Sequence, residues 1–103
     1  MPQIVWTTDA EGKFLYYNKN MLSFLEIEKE EMKGFNFMKI LHPEDLFKLK
    51  NTWKKATEEK KTFELEFRYK TNKTDEYIWF LNRATPVLDD DGNIKHWIGT
   101  STN

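Results

Sequence analysis

The strongest constraint in this chain is eight residues long. Phe63, Leu65, Phe67 and Tyr69 alternate strictly with Glu64, Glu66, Arg68 and Lys70. A period of two over eight residues is a β-strand with one apolar face and one wet face, because successive side chains leave a strand on opposite sides. Such a strand needs a sheet to join and a layer to cover its apolar side. The same spacing sets the parity: Phe63, Leu65, Phe67 and Tyr69 face the core.

Other segments supply both. Asp9-Ala10-Glu11-Gly12 separates two short β-prone runs, Ile4–Thr8 and Lys13–Tyr17, and predicts a hairpin. Asn18–Gly34 reads as a broken helix, with Met21, Leu22, Phe24, Leu25, Ile27 and Met32 apolar and Gly34 as a stop. A short apolar stretch, Phe35–Leu41, ends at His42-Pro43-Glu44-Asp45. Pro43 pre-sets the first turn of a helix and the two acids suit its positive end. That helix is expected over Pro43–Lys60, with Leu46, Leu49, Trp53 and Ala56 on one face, Phe47 at its edge, and Lys48, Lys54 and Lys55 in solvent. Thr71–Asp75 reads as a loop. Tyr77–Val87 is a strand, with Pro86 marking a strand end or edge. Asp89-Asp90-Asp91-Gly92 contains Asp-Gly, a hairpin signal, and leads into a last strand, Ile94–Thr102. Helices gathered in one block between strands should cover one face of an antiparallel sheet, an α+β arrangement.

Composition narrows the function. At 103 residues the chain is one domain. Aromatics make up 16%, so a few large rings must build the core, and disorder is excluded. Without cysteine there is no disulfide, thiolate nucleophile or cysteine–zinc site. His42 and His96 are too far apart for metal spacing, and Asp89–Asp91 lacks the ligand pattern of a calcium loop, so no metal is expected. His42 reads as a residue bonding backbone near the helix start. No nucleophile–base pair and no glycine-rich phosphate loop occurs, which argues against an enzyme. A net charge of −1 gives no pull toward nucleic acid, and the glycine–aromatic pattern of RNA-reading sheets is missing. No apolar run is long enough to span a membrane. Asn72-Lys73-Thr74 is a sequon without a secretion signal. A soluble, cytoplasmic domain is expected, and the dominance of lysine over two arginines, Arg68 and Arg83, points to a bacterial source.

The ordered set Val5-Trp6-Thr7-Thr8-Asp9, Gly12, Tyr16-Tyr17-Asn18, Gly34, His42-Pro43-Glu44-Asp45, Trp79, Arg83, Pro86-Val87, Asp91-Gly92 and Trp97-Ile98-Gly99-Thr100-Ser101-Thr102 resembles a PAS domain. It is similar to the bacterial sensory-box subtype with His-Pro-Glu-Asp before the long helix. The resemblance implies a five-stranded antiparallel sheet in the order 2-1-5-4-3, with short helices and one long helix on one face. It implies a sensory or regulatory module of a multidomain signal-transduction protein, most often a sensor histidine kinase, or else a cyclic-dinucleotide enzyme, whose chain can carry a membrane anchor elsewhere. Residues 1–103 would be a single PAS domain excised from that protein, since family members usually continue beyond Asn103 with an Asp-led ending into a signalling helix.

The resemblance also places the sites. It turns Ile4, Trp6, Thr8, Phe80, Asn82, Ala84, Trp97, Gly99 and Ser101 inward, opposite a helical wall of Phe35, Phe37, Ile40, Leu41, Leu46, Leu49 and Trp53. Ligand-pocket candidates are Trp6, Thr8, Phe37, Leu41, Leu49, Trp53, Phe67, Tyr69, Phe80, Asn82, Trp97 and Ser101. Asn82, Ser101, Thr8 and Tyr69 would be the polar groups, unless rings simply fill the space and Asn82 bonds within the sheet. Val5, Tyr77, Trp79, Leu81, Ile94 and Ile98 would point outward and dock a flanking helix or a second subunit. The photochemical subtype holds flavin through a cysteine after Gly-x-Asn; here Gly34-Phe35-Asn36 is followed by Phe37, which excludes adduct chemistry. Haem is not expected, because His42 precedes the long helix. Two readings follow: a module that binds a small ligand or relays conformational change to a downstream effector, or a ligand-free dimerisation module.

Overall fold

The alternating segment is β3, Phe63–Lys70, at one edge of a five-stranded sheet. The computed structural model describes residues 3–71 and 76–102, apart from the side chains of residues 19–21. The loop and sequon at residues 72–75, Met21 as a core residue, and Asn103 therefore lie outside the described residues. The other strands are β1 (Ile4–Asp9), β2 (Phe14–Tyr17), β4 (Tyr77–Leu88) and β5 (Ile94–Thr102). All neighbours are antiparallel and the order is β2-β1-β5-β4-β3, as the resemblance implied. The first and last strands lie side by side at the centre.

Between β2 and β3 the chain crosses one face through α1 (Lys19–Leu25), α2 (Lys29–Met32), a 3₁₀ turn (Asn36–Lys39) and α3 (Pro43–Glu59). The expected broken helix is thus two short pieces. Glu26 ends the first in a left-handed conformation (φ 52°). Glu28 and Glu31 cap each other's backbone at the start of the second. Gly34 does more than stop a helix: its φ is +60° and its carbonyl accepts from Phe14 N (3.1 Å), tying the helical block to β2. The long helix starts as expected. His42 Nδ1 accepts from Glu44 N (3.2 Å) and Pro43 occupies the first turn.

One face of the sheet meets these helices. Ile4, Trp6, Phe14, Phe67, Tyr69, Phe80, Ala84 and Trp97 are buried against Leu25, Ile27, Met32, Phe37, Ile40, Leu41 and Ala56. Gly99 permits close approach of Trp6, whose ring would lie 2.1 Å from any Cβ built there.

The β3 edge is covered. Lys70 N donates to Ile40 O (2.7 Å), His42 N to Arg68 O (3.1 Å), and Arg68 N to Asp45 Oδ2 (2.7 Å). Arg68 Nε and Nη2 also reach the Asp45 carboxylate, at 2.8 and 3.0 Å. Asp45 is fully buried. The hydrogen bonds from the Arg68 guanidinium hold its pKa at about 2, against an ordinary 3.8. Arg68 in turn stacks 4.6 Å from the Trp79 ring on the opposite sheet face.

Two expectations need correction and a third is narrowed. Ile94 does not point outward. Leu88 pairs with Ile94 and Val87 with His96, so Lys95 is an extra, bulged residue. The bulge reverses the parity, and Ile94 packs against the core. Of the two alternatives for Pro86, the structure favours the edge: it pairs with Trp97 within β4, and β3 has stopped pairing at Ala84, so that side of β4 is open there. Lys48 is not simply solvated, since its Nζ lies 3.5 Å from Asp45 and 5.8 Å from the Trp79 ring. Lys54 and Lys55 are exposed as expected.

Candidate ligand pocket

Between sheet and helices the rings leave a cavity of ≈140 Å³. Three groups of elements build it. From the sheet come Trp6, Thr8 and Phe14 of β1 and β2, Phe63, Phe67 and Tyr69 of β3, and Asn82 of β4. Phe35, Phe37 and Met38 come from the 3₁₀ turn and the residue before it, and Leu49, Lys50 and Trp53 from α3. Glu11 and Gly12, in the β1–β2 turn, complete it. Gly12 has φ +95° and its Cα lies close under the Trp53 ring, where an added Cβ would be 3.2 Å from Cζ2. Glu11, Phe35 and Lys50 are exposed and form the rim.

Of the candidates, Trp6, Thr8, Phe37, Leu49, Trp53, Phe67, Tyr69 and Asn82 come together around this space. Leu41, Phe80, Trp97 and Ser101 do not line it. Leu41 is spent on a bridge to Tyr69 along the β3 edge. Phe80 packs edge-on against Tyr69 (centroids 5.6 Å) and Phe24 (5.7 Å). Trp97 lies behind Trp53 (4.6 Å) and Phe63 (5.7 Å). Sequence reasoning missed Glu11, Gly12, Phe14, Met38 and Lys50, and it turned Phe35 and Phe63 inward without counting them among the pocket candidates. For Glu11 and Gly12 the signal was the turn itself: a hairpin folded over the long helix brings its tip to the cavity mouth.

The interior polar groups mostly satisfy one another. Trp6 Nε1 donates to Ser101 Oγ (3.0 Å), and Ser101 Oγ donates to Asn82 Oδ1 (2.5 Å). Asn82 Nδ2 donates to Phe80 O (3.0 Å) and Leu65 O (3.3 Å). Thr8 Oγ1 donates to Asp9 O (2.8 Å). The amide of Asn82 therefore finds its partners within the sheet, in both neighbouring strands and in its own. This closed chain pins Trp6 flat over Gly99 and ties β1, β5, β4 and β3 together. Tyr69 is 1% exposed, and burial pushes its hydroxyl well above the usual range, so it stays protonated.

The opposite face of the sheet is open. Tyr77, Trp79, Leu81 and Ile98 are each between 42% and 48% exposed, and Val5 is partly so. His42 packs 4.8 Å from Tyr77, and Arg68 covers one side of Trp79. No group of metal-ligating side chains occurs among the described residues.

Comparison with known proteins agrees with this architecture. The PAS fold family matches residues 14–101. A probable diguanylate cyclase of Escherichia coli is 34% identical over 86% of this chain. The peroxide stress-activated histidine kinase mak1 of Schizosaccharomyces pombe is 31% identical over all of it. The chain spans only 8% and 6% of the lengths of those two proteins. The crystal structure of the N-terminal domain of a diguanylate cyclase with PAS/PAC sensor from Marinobacter aquaeolei superposes with a TM-score of 0.87. It is 22% identical, and the match covers 99% of this chain and 94% of that one.

Proposed function

The chain belongs to the PAS fold family and is a sensory signal-transduction domain with no catalysis of its own, and from that premise we propose that it senses a small, largely apolar molecule held in the ≈140 Å³ cavity. The cavity is the observation that carries this reading. Packed cores leave few voids larger than a water molecule, and an apolar void of about 150 Å³ is enough to bind benzene. Binding would act through differential affinity for two packings of helix on sheet. β5 is suited to pass the change on: it carries Trp97 beneath the pocket wall and Ser101 in the Trp6–Asn82 chain.

The parent protein on this reading is a longer, cytoplasmic-facing signalling protein of the sensory-box subtype, with a histidine kinase or diguanylate cyclase effector downstream. The likeness to two such proteins supports it. No helix among the described residues is long and apolar enough to cross a membrane. Native mass spectrometry of the purified domain, before and after denaturation, tests the sensing role. A mass excess that disappears on denaturation is expected. A bare mass, together with no uptake of added toluene, would contradict it.

A second reading rests on the outer face. Tyr77, Trp79, Leu81 and Ile98 form an apolar surface beside the β5 end of the chain, suited to a second copy or a flanking helix. Leu81→Glu is expected to convert a dimer to monomer in light scattering. An unchanged mass would count against this use of the face.

A further inference from the structure

We infer that Tyr69 is the recognition group of the cavity, and that its occupant is a neutral single-ring molecule bearing one hydrogen-bond acceptor, of which an aryl ketone is the type. The inference rests on the sensing role proposed above and goes on to the chemistry of the ligand. Four side chains offered polar groups to the interior. Asn82 has used both amide hydrogens, and Ser101 and Thr8 have each used their hydroxyl hydrogen within the fold. The indole N–H of Trp6 is likewise taken by Ser101. Tyr69 remains. It lines the cavity, is buried, and its hydroxyl donates no hydrogen bond among the described residues.

The sealed and unpartnered buried polar atoms of the described residues are Asn18 Oδ1, Thr57 Oγ1 and Trp97 Nε1. Tyr69 Oη is not one of them: on a residue that lines the cavity and is 1% exposed, it is neither paired nor fully sealed. A buried O–H that finds no acceptor destabilises the fold, because its lost hydration is not replaced. A ligand oxygen placed against it recovers that cost. The remaining wall is aromatic and aliphatic, which selects a ring. The charged residues lining the cavity, Glu11 and Lys50, are exposed at the rim and oppose each other in sign. A buried anion or cation would find no charged partner inside, so the ligand is neutral.

The test compares acetophenone with α-methylstyrene, which replaces C=O by C=CH₂ at nearly constant shape, using NMR titrations of the domain and of its Tyr69→Phe variant. Uptake of α-methylstyrene by the wild-type domain reports on the cavity; its absence would overturn the sensing reading itself. Given that uptake, Tyr69→Phe is expected to weaken acetophenone about 2- to 10-fold, one neutral hydrogen bond, and to leave α-methylstyrene unchanged. Equal effects on both, or none on acetophenone, would reduce Tyr69 to packing and overturn this inference alone. A second measurement needs no variant. The ¹³C carbonyl resonance of acetophenone bound to the wild-type domain should lie downfield of its value in hexane, as hydrogen bonding requires. A hexane-like value would overturn the inference.

Discussion

Gly99 has no side chain because Trp6 occupies the space a Cβ would take. The nearest ring atom is 2.1 Å from that position, and the ring cannot swing away freely, since its N–H is tethered to Ser101. Gly99→Ala is therefore expected to cost about 3 kcal/mol, the upper range for overpacking, read by urea unfolding. A loss below 0.5 kcal/mol, within the range of ordinary surface substitutions, would show that Trp6 is not held there. Asn82→Ala strips a partner from Ser101 and from two strand carbonyls, and is expected to cost about 2 kcal/mol. An unchanged midpoint would contradict the closed hydrogen-bond chain. At this scale sequence and structure agree in part. The inward placement of Trp6, Asn82 and Ser101 was legible from family resemblance. That Asn82 could bond within the sheet was one of two alternatives; that Trp6 and Ser101 would complete the chain was not legible, because it depends on register across four strands.

At the scale of elements, the junction of α3 with β3 is decided by Asp45. Its place at a helix N-terminus was legible; its partner, 23 residues away on a strand read as having a wet face, was not. Because its pKa falls from 3.8 to about 2 on folding, the pair contributes stability that is fully present above the unfolded value and is lost as the pH falls toward 2. The shift corresponds to about 2 kcal/mol at neutral pH. Thermal melts between about pH 4 and pH 2 should steepen in the wild-type domain, and Asp45→Asn should flatten that dependence while lowering stability at pH 7. Parallel pH profiles would contradict the assignment. The one strand set by alternation, β3, was readable end to end, while the other strands took their parity from the resemblance. The bulges at Leu15 and Lys95 were not readable, since an extra residue leaves no compositional mark, and the second of them turned Ile94 from the outer face to the core.

Across the whole molecule, the sheet separates two surfaces with different chemistry: a lined cavity under the helices and an apolar face open to solvent. Arg68 joins them around the β3 edge, bound to Asp45 on the pocket helix and stacked on Trp79 outside. The layout was readable because large rings were few and periodic. The cavity was not, because whether rings fill a space depends on their rotamers. Leu49→Trp, on the cavity wall, is expected to abolish toluene uptake while leaving self-association intact; loss of both would show that the surfaces are not separable. The most direct measurement is a crystal structure of the domain under xenon pressure. The account predicts xenon density among Trp6, Phe37, Leu49, Trp53, Phe67 and Tyr69. Rings closed over that space, with no xenon inside, would contradict it.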